Sequence, residues 1–401
     1  MKAKVIRGGT ITSPRGFLAG ATCASLKTRG GLDLGILYSE VPCVAAGLFT
    51  SNRIKAAPVL LCQKHIAKGK AEAIVVNAGC ANACTGEQGL EDAARMASLA
   101  AKKLGTSPHD VLVASTGVIG KRLPMELISA GIENVALSKE GGHELAQAIT
   151  TTDTFAKERA VALKLGGKEV FIGGIAKGAG MIHPNLATLL SFLATDAAVD
   201  AHFLEQALRE AADLSFNMIS IDGETSPNDT LLILANGLAG NRKIKEWSAE
   251  AKAFQAALTE VCIYLAKSIA SDGEGATKLI EVAVEGALSP ADARVAARTV
   301  AGSPLVKSAI HGNDPNWGRI IAALGRSGAE IDGSRIDLYL NNICLMKGGS
   351  PYAFDEDEVR EAMKGGEVPI KICLNLGSFA ATAWGCDLSE EYVTINSAYT
   401  T

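Results

Sequence analysis

Runs rich in valine and isoleucine alternate with longer alanine-rich stretches along the 401 residues, a pattern that layered folds of sheets and helices accommodate. The β-branched runs predict strands at 73–76, 111–115, 230–234, 279–284 and 370–374. The alanine-rich stretches have apolar residues at helical spacing and predict helices at 90–104, 201–212 and 250–269. We therefore expect an α/β (α+β) fold. No low-complexity linker divides the chain, and the glycine-rich region before Thr188 is its most natural boundary.

Two helix starts can be predicted in more detail. The stretch LEDAARMASLAAKKL has acidic residues at 91–92, lysines at 102–103 and a glycine at 105, which suits a helix beginning at Leu90. The stripe expected to be buried on it comprises Leu90, Ala94, Ala97, Ala101 and Leu104. Further along, Ser289 followed by Pro290 predicts a capped helix start.

The composition excludes several classes of protein. Hydrophobic residues make up 48% and the net charge is −4, so the chain is globular and gives no electrostatic case for binding nucleic acid or an anionic membrane surface. No apolar run reaches the roughly 18 residues of a transmembrane helix, and the first residues lack the apolar core of a signal peptide. Nine scattered cysteines do not form a secreted disulfide framework. We therefore expect a cytoplasmic protein.

A glycine-rich, proline-interrupted segment at 176–196, AKGAGMIHPNLATLLSFLATD, leads through Ala187 and Thr188 into an apolar strand. This arrangement suits self-cleavage, in which the Thr188 hydroxyl attacks the carbonyl group before it. The cut would free an α-amine that titrates near ~7.7–8 and can act as a base for the same hydroxyl. The residues alone leave a second interpretation open, because the glycines and Pro184 also suit a loop before a core strand.

Other catalytic motifs are absent or ambiguous. The chain has no Walker-type phosphate loop, no complete dinucleotide-binding glycine pattern, no HExxH and no Gly-x-Ser-x-Gly. Cys62, His65, Cys80 and Cys84 have spacings that zinc ligands adopt, but their apolar surroundings favour buried thiols and a surface histidine.

The segment ASTGVIG follows the apolar strand predicted at 111–115. A strand that opens into a glycine turn can present backbone N–H groups to an oxyanion, and Thr116 adds a hydroxyl donor. An ordinary strand-exit turn is the alternative interpretation of the same residues.

Taken together, a series of segments resembles the ornithine acetyltransferases of arginine biosynthesis, also called glutamate N-acetyltransferases. The matching segments run in order along the chain and include PRGFLAGAT, GLFTSNRIKAAPV, NAGCANACTG, ASTGVIG, TTDTFAK, AKGAGMIHPNLATLLSFLATDA, FNMISIDGETSPNDT, SDGEGATKLIEV, SPLVKSAIHGNDPNWGRI and EYVTINSAYTT.

The resemblance implies autoproteolysis between Ala187 and Thr188, because the family cuts itself before the threonine of this pair. The products would be an α chain of 1–187, with the oxyanion hole and the glycine-rich loop, and a β chain of 188–401 that begins with the nucleophile Thr188. The oxyanion donors would be the Thr116 hydroxyl and the Gly117 amide. Substrate contacts are implied at Thr154, Lys177, Thr188, Glu274, Asn396 and Thr401.

The implied reaction is ping-pong transfer of an acetyl group from N2-acetyl-L-ornithine to L-glutamate through an acetyl-threonine ester. No metal or organic cofactor is required, although some relatives also accept acetyl-CoA as donor. Lys177 would pair with the α-carboxylate of a substrate and Glu274 with its ammonium or amide end. The resemblance also implies an N-terminal-nucleophile-like fold of layered sheets flanked by helices, with two intertwined fragments in an α2β2 heterotetramer. Neither nucleic acid nor membrane is expected as a partner.

Two alternative functions remain. A self-processing aminopeptidase-like amidohydrolase would resolve the acyl-enzyme with water rather than with glutamate. A non-catalytic binding protein of the same fold would leave the precursor uncut.

Overall fold

A computed structural model of the chain describes residues 3–183 and 189–398. These residues form two β-sheets, one of nine strands and one of seven, with helices packed against both. No helix in the two described ranges is long and apolar enough to cross a membrane.

The strands are β1 (Lys4–Val5), β2 (Phe17–Thr22), β3 (Leu34–Phe49), β4 (Lys70–Cys80), β5 (Val111–Val118), β6 (Lys157–Leu165), β7 (Lys168–Lys177), β8 (Leu190–Thr195), β9 (Ile219–Ser220), β10 (Thr230–Ala235), β11 (Leu279–Ala287), β12 (Asp337–Leu340), β13 (Ile343–Lys347), β14 (Ser350–Pro351), β15 (Glu367–Cys373) and β16 (Phe379–Cys386). The helices are α1 (Ala57–His65), α2 (Gly86–Leu104), α3 (Met125–Asn134), α4 (Gly142–Ala148), α5 (Ala201–Asp213), α6 (Ala249–Ser271), α7 (Pro290–Ala301), α8 (Pro304–His311), α9 (Trp317–Gly325), α10 (Glu356–Ala362) and α11 (Glu390–Ala398).

The nine-stranded sheet contains strands from both halves of the sequence. Its order is β1-β6-β7-β8-β10-β3-β4-β5, and β2 pairs with β3 off this path. Strands β8 and β10 lie in parallel between β7 and β3, so two strands that come after residue 188 are enclosed by strands that come before it. The segment before β8 therefore joins two neighbouring strands of one sheet.

The long strand β3 brings distant parts of this sheet together. Its first half pairs with β2 and β4, its last residues pair with β10, and its register with β4 shifts between Tyr38 and Cys43. Residues of β5, β8 and β10 share one hydrophobic core with helices α1 to α4. The Asn228 side chain, just before β10, donates a 2.9 Å hydrogen bond to the Ser115 carbonyl of β5.

The second core joins the two sheets. Helices α5, α6 and α7 contribute buried residues to it together with strands of both sheets. The seven-stranded sheet has the order β14-β13-β12-β15-β11-β16-β9. Because α6 packs on β6 and β7 and also reaches β11 and β16, it fixes the residues after its carboxyl end relative to β7.

The helices and strands predicted from periodicity are present, and the mixed α/β class with layered sheets is confirmed. Helix α7 begins at Pro290 with the Ser289 side chain accepting a hydrogen bond from the Asp292 amide, as expected. The prediction that a helix begins at Leu90 is wrong, because α2 begins at Gly86. Its buried stripe is also shifted: Ala97 and Ala101 are buried, but Ala94 is exposed.

Side-chain contacts from the turn just before the helix explain the earlier start of α2. The Asn82 side chain donates a 2.9 Å hydrogen bond to the Gly89 carbonyl, and Thr85 packs directly on Gly89. These contacts hold a first turn that contains two glycines, which helix propensity alone disfavours.

Candidate active site

A cavity of about 120 Å³ lies where the carboxyl ends of β5 and β7 meet the amino ends of β8 and β10. Five residues predicted for the site line it: Thr116, Gly117, Lys177, Glu274 and Asn396. Leu189, the neighbour in sequence of the predicted nucleophile, also lines it. Ala187, Thr188 and Thr401 lie outside the described residues.

The oxyanion-hole candidates stand at the end of β5, in parallel register with β4. Gly117 has φ +126°, and a Cβ there would lie 2.6 Å from the Cys80 nitrogen, so only glycine fits this backbone. Asn228 donates to the Ala81 carbonyl at 2.6 Å and holds the neighbouring turn. The Thr116 hydroxyl and the Gly117 amide are thereby placed on a rigid part of the cavity wall.

Lys177, the last residue of β7, is 8% exposed and its ammonium nitrogen lies 3.5 Å from the Thr116 hydroxyl oxygen. Burial lowers the pKa of Lys177, whereas the carboxylates of Asp153, Asp229 and Glu274 counteract that effect. Since an ammonium group is a donor only, the Thr116 oxygen accepts from Lys177 and keeps its own proton for another acceptor.

Glu274 is 9% exposed and lies against the glycine-rich segment. A Cβ on residue 180 would lie 2.5 Å from Glu274 Oε2, so the glycine at this position makes room for the carboxylate. From the other side, the Asn396 side chain donates a 2.8 Å hydrogen bond to the same oxygen. The carboxylate is therefore held between the loop and the last helix.

Helix α11 closes this side of the cavity. The Ser389 hydroxyl, just before the helix, donates a 2.6 Å hydrogen bond to the Gly275 carbonyl. Burial together with the negative charges of Asp222 and Glu274 raises the pKa of Tyr392, on the first turn of the helix, to about 12. Hydrogen bonding by Asn396 connects the same helix to Glu274.

A buried ionic network lies behind the β7 end of the cavity, and the sequence analysis did not predict it. Lys157 Nζ lies 2.6 Å from Asp153 Oδ1 and 2.5 Å from Asp272 Oδ2, and all three side chains are almost completely buried. Asp153 also accepts a 2.8 Å hydrogen bond from the Gly178 amide. Although burial raises the pKa of Asp153, the nearby charges of Lys157 and Lys177 lower it to about 2. The network joins β6, β7 and the end of α6.

Thr154 belongs to this network. Its amide donates a 3.0 Å hydrogen bond to Asp272 Oδ2 and its hydroxyl donates to Asp272 Oδ1. It does not line the cavity, which Thr151 and Thr152 line instead. Its role in binding substrate stays a prediction.

Asp222 and Asp229 are two further carboxylates at the site that had no assigned role. Asp222 accepts hydrogen bonds from the amides of Met181 and Ile182 at 2.5 and 2.9 Å, which fixes the approach to the cavity. Asp229 is 2% exposed and lines the cavity next to Leu189. Both lie in the segment FNMISIDGETSPNDT, which carries part of the resemblance but gives no spacing signal for either role.

The alternative zinc site does not assemble. Cys62 Sγ bonds to the Val113 carbonyl at 2.9 Å, Cys80 Sγ bonds to the Lys121 carbonyl at 3.1 Å, and Cys84 is exposed. Within 3–183 and 189–398, no group of three or more histidine, cysteine or acidic side chains could hold a metal ion.

A larger cavity of about 790 Å³ lies elsewhere, beside α7, and is lined by Arg294, Arg298 and Arg326. None of the described residues that were predicted for the site borders it. The smaller cavity is therefore the candidate active site.

A mixed α/β fold that places a hydroxyl donor, a glycine amide and buried charges of both signs around one small cavity suits an acyl-transfer enzyme. The sequence pattern of the ArgJ family matches residues 18–401, and the chain belongs to that family. Its predicted class, an acyltransferase of arginine biosynthesis, is thereby confirmed.

Proteins similar to this chain include a curated relative and two solved structures. The "Arginine biosynthesis bifunctional protein ArgJ" of Symbiobacterium thermophilum is 55% identical over 98% of this chain and 99% of its own length. The crystal structure of the protein of that name from Bacillus halodurans is 44% identical, with a TM-score of 0.51 over 52% of this chain and 98% of that one. A crystal structure of "Ornithine Acetyltransferase complexed with Ornithine" from Mycobacterium tuberculosis is 41% identical, with a TM-score of 0.44 over 46% of this chain and 100% of that one.

Proposed function

We propose that this chain transfers an acetyl group from N2-acetyl-L-ornithine to L-glutamate through an ester on Thr188. One observation carries the proposal: Thr116, Gly117, Lys177 and Glu274 converge on a single cavity whose wall includes Leu189. The residue before Leu189 in the chain is Thr188, so the predicted nucleophile is covalently attached to the cavity wall.

The cavity supplies the electrostatics that acyl transfer needs. Attack on the acetyl carbonyl places negative charge on its oxygen, and the Thr116 hydroxyl and the Gly117 amide are the donors for it. Removal of one such donor typically costs on the order of 10²–10³ in rate. Because Lys177 donates to the Thr116 oxygen, the hydroxyl proton remains available for the substrate oxygen.

The two buried charges fit an amino-acid substrate. Lys177 would bind the α-carboxylate, and Glu274 would bind the terminal ammonium of ornithine. Glutamate carries the same α-carboxylate but no terminal ammonium. We therefore expect the contact with Glu274 to discriminate mainly at the donor step.

We further propose that the chain cleaves itself between Ala187 and Thr188, since the freed amine supplies the base that a threonine otherwise lacks. The fragment 188–401 would span just over half of the chain, which agrees with a solved Bacillus halodurans chain that corresponds to 52% of this one. Since β8 and β10 are enclosed by β7 and β3, the fragments would remain associated after the cut. We also propose that two copies of each fragment associate as an α2β2 heterotetramer in the cytoplasm.

Intact-mass analysis of the purified protein beside a Thr188→Ala variant tests the cleavage. Two fragments that sum to the precursor plus one water are expected from the native protein, and a single chain from the variant. Thr195→Ala is the matched control, because Thr195 ends β8, the strand that follows Thr188 in the sequence, and its hydroxyl donates a hydrogen bond to the Phe171 carbonyl. An uncut native chain would refute the mechanism and favour a binding protein.

Transfer is tested by supplying N2-acetylornithine with and without glutamate. Acetylglutamate formation is expected to consume the donor at a rate that rises with glutamate. Donor loss at the same rate without glutamate would instead identify an amidohydrolase. Replacing the donor with acetyl-CoA in the same assay determines whether the chain also uses that donor.

A further inference from the structure

Asp229, the residue before β10, has a carboxyl group that the proposed transfer reaction does not use. The residue is 2% exposed and lines the cavity. Its Oδ2 atom has no hydrogen-bond partner among the residues that the structure describes. Leaving a buried polar atom unpaired is costly, so such an atom calls for an explanation.

The strand register places Asp229 beside Leu189, the second residue after the predicted cleavage point. Strands β8 and β10 are parallel, with Thr230 opposite Leu190, and the Thr230 amide donates a 2.8 Å hydrogen bond to the Leu189 carbonyl. The Asp229 carboxyl therefore lies against Leu189, the described residue that follows the predicted cleavage point in the sequence.

The surroundings of Asp229 favour its neutral form. Burial raises the pKa of Asp229 well above its usual value, while Ser226, Thr50, the Leu189 amide and the charge of Lys177 counteract that effect. The charged groups that face it across the cavity are Lys177, from β7, and Glu274, from the loop after α6. A neutral carboxyl group offers one O–H donor and one acceptor oxygen at the same time.

Self-cleavage needs such a group, because the precursor has no free α-amine at residue 188. The hydroxyl must lose a proton as it attacks, and the departing nitrogen must gain one. Lys177 is engaged with Thr116, and Glu274 accepts from Asn396. We propose that Asp229 is the proton-exchanging residue of the cleavage step, an inference that rests on the proposed function.

The cleavage step needs no reactant other than water. The Thr188 oxygen forms a bond to the Ala187 carbonyl carbon, and the bond from that carbon to the Thr188 nitrogen breaks. One Asp229 oxygen takes the hydroxyl proton while the other gives its proton to the departing nitrogen, so the carboxyl ends as it began. Water then hydrolyses the ester, which regenerates the hydroxyl and leaves a carboxylate on Ala187.

Cleavage rates of full-length variants test this role. The precursor is made by cell-free translation, and its conversion is followed by intact mass between pH 5 and 9. Asp229→Asn preserves the shape of the side chain but cannot exchange a proton, so we expect cleavage to slow by at least 100-fold. Asp196→Asn is the matched control: Asp196 is also a buried carboxyl of raised pKa, it follows the far end of β8, and its loss should leave the rate unchanged.

The wild-type pH profile separates proton exchange from a structural role. The wild-type rate should fall as pH rises through the raised pKa of Asp229, and this fall should be absent from the residual rate of Asp229→Asn. A rate independent of pH in the wild type would overturn the proposal, and this measurement does not require the variant to fold. Cleavage of folded Asp229→Asn at the wild-type rate would overturn it as well.

These outcomes are distinct from failure of the proposed function. If the wild type never cleaves, self-cleavage itself is wrong and the role of Asp229 is refuted with it. If the wild type and Asp229→Asn cleave equally while Thr188→Ala does not, only the role of Asp229 is refuted.

Discussion

Lys177 Nζ lies 3.5 Å from the hydroxyl oxygen of Thr116, although the two residues stand at the ends of different strands, β7 and β5. The contact makes the threonine oxygen an acceptor for the ammonium group and leaves its proton for a ligand. It also brings a buried positive charge next to the position where an oxyanion would form. One pair of residues thus joins the predicted oxyanion hole to the predicted carboxylate site.

Thr116→Val tests the hydroxyl. Valine keeps the shape of the side chain but removes the donor, so we expect kcat for acetyl transfer to fall on the order of 10²–10³. The donor KM should change little, because the hydroxyl acts mainly on charge that develops in the transition state. Thr116→Ser keeps the hydroxyl and serves as control. Equal loss in both variants would show that packing, not hydrogen bonding, is responsible.

Gly180→Ala tests the fit of Glu274. The added methyl group would lie 2.5 Å from Glu274 Oε2, so the carboxylate must move away from its present position. We expect the KM for acetylornithine to rise at least 10-fold, with a smaller change in the KM for glutamate. Steady-state kinetics with each substrate varied measures this. Gly325→Ala, where a Cβ has nothing within 4 Å, is the control and should behave like the wild type.

Asn396→Ala tests the connection between α11 and the cavity. It removes the 2.8 Å hydrogen bond to Glu274 Oε2 and leaves the carboxylate held from one side only. The donor KM is expected to rise by several-fold while the thermal midpoint stays within about 2 °C. Ser397→Ala, the next residue on the same helix, should leave both quantities unchanged. A large drop in thermal midpoint would indicate that Asn396 holds the helix rather than Glu274.

The elements of the fold could be predicted because their hydrophobic periods are local properties of the sequence. The start of α2 could not be predicted from periodicity, since it depends on side-chain contacts that Asn82 and Thr85 make from the preceding turn. Periodicity also gives no information on why β8 and β10 lie between β7 and β3, because strand order is decided by packing.

The resemblance names Thr116, Lys177 and Glu274, and the fold brings these three residues to one cavity, but their roles stay predictions. Long-range contacts could not be predicted from the sequence. The bond of Thr154 to Asp272 joins residues 118 positions apart, and no sequence spacing reveals it. Asp229 was missed for a related reason: its significance comes from burial and an unpaired oxygen, which exist only in the folded chain.

The stability of the ionic network behind the cavity depends on the charge of Lys157. Lys157→Met removes the charge shared by Asp153 and Asp272, whose side chains are 0% and 3% exposed, and breaking a buried pair in this way typically costs about 3–5 kcal/mol. Lys267→Met, which breaks a partly exposed pair with Glu281, is the control and should cost less than about 1 kcal/mol.

Thermal unfolding measured at a series of pH values gives an independent check on Asp153. Its pKa is about 2 in the folded protein and about 3.9 in an unfolded chain, so the stability that it contributes is complete above pH ~4 and is lost as pH falls through about 2. Because Lys157 is one source of that low pKa, Lys157→Met should lose part of this acid-dependent stability. If the variant instead loses stability with falling pH just as the wild type does, Lys177 and the Gly178 amide are sufficient to keep Asp153 ionised.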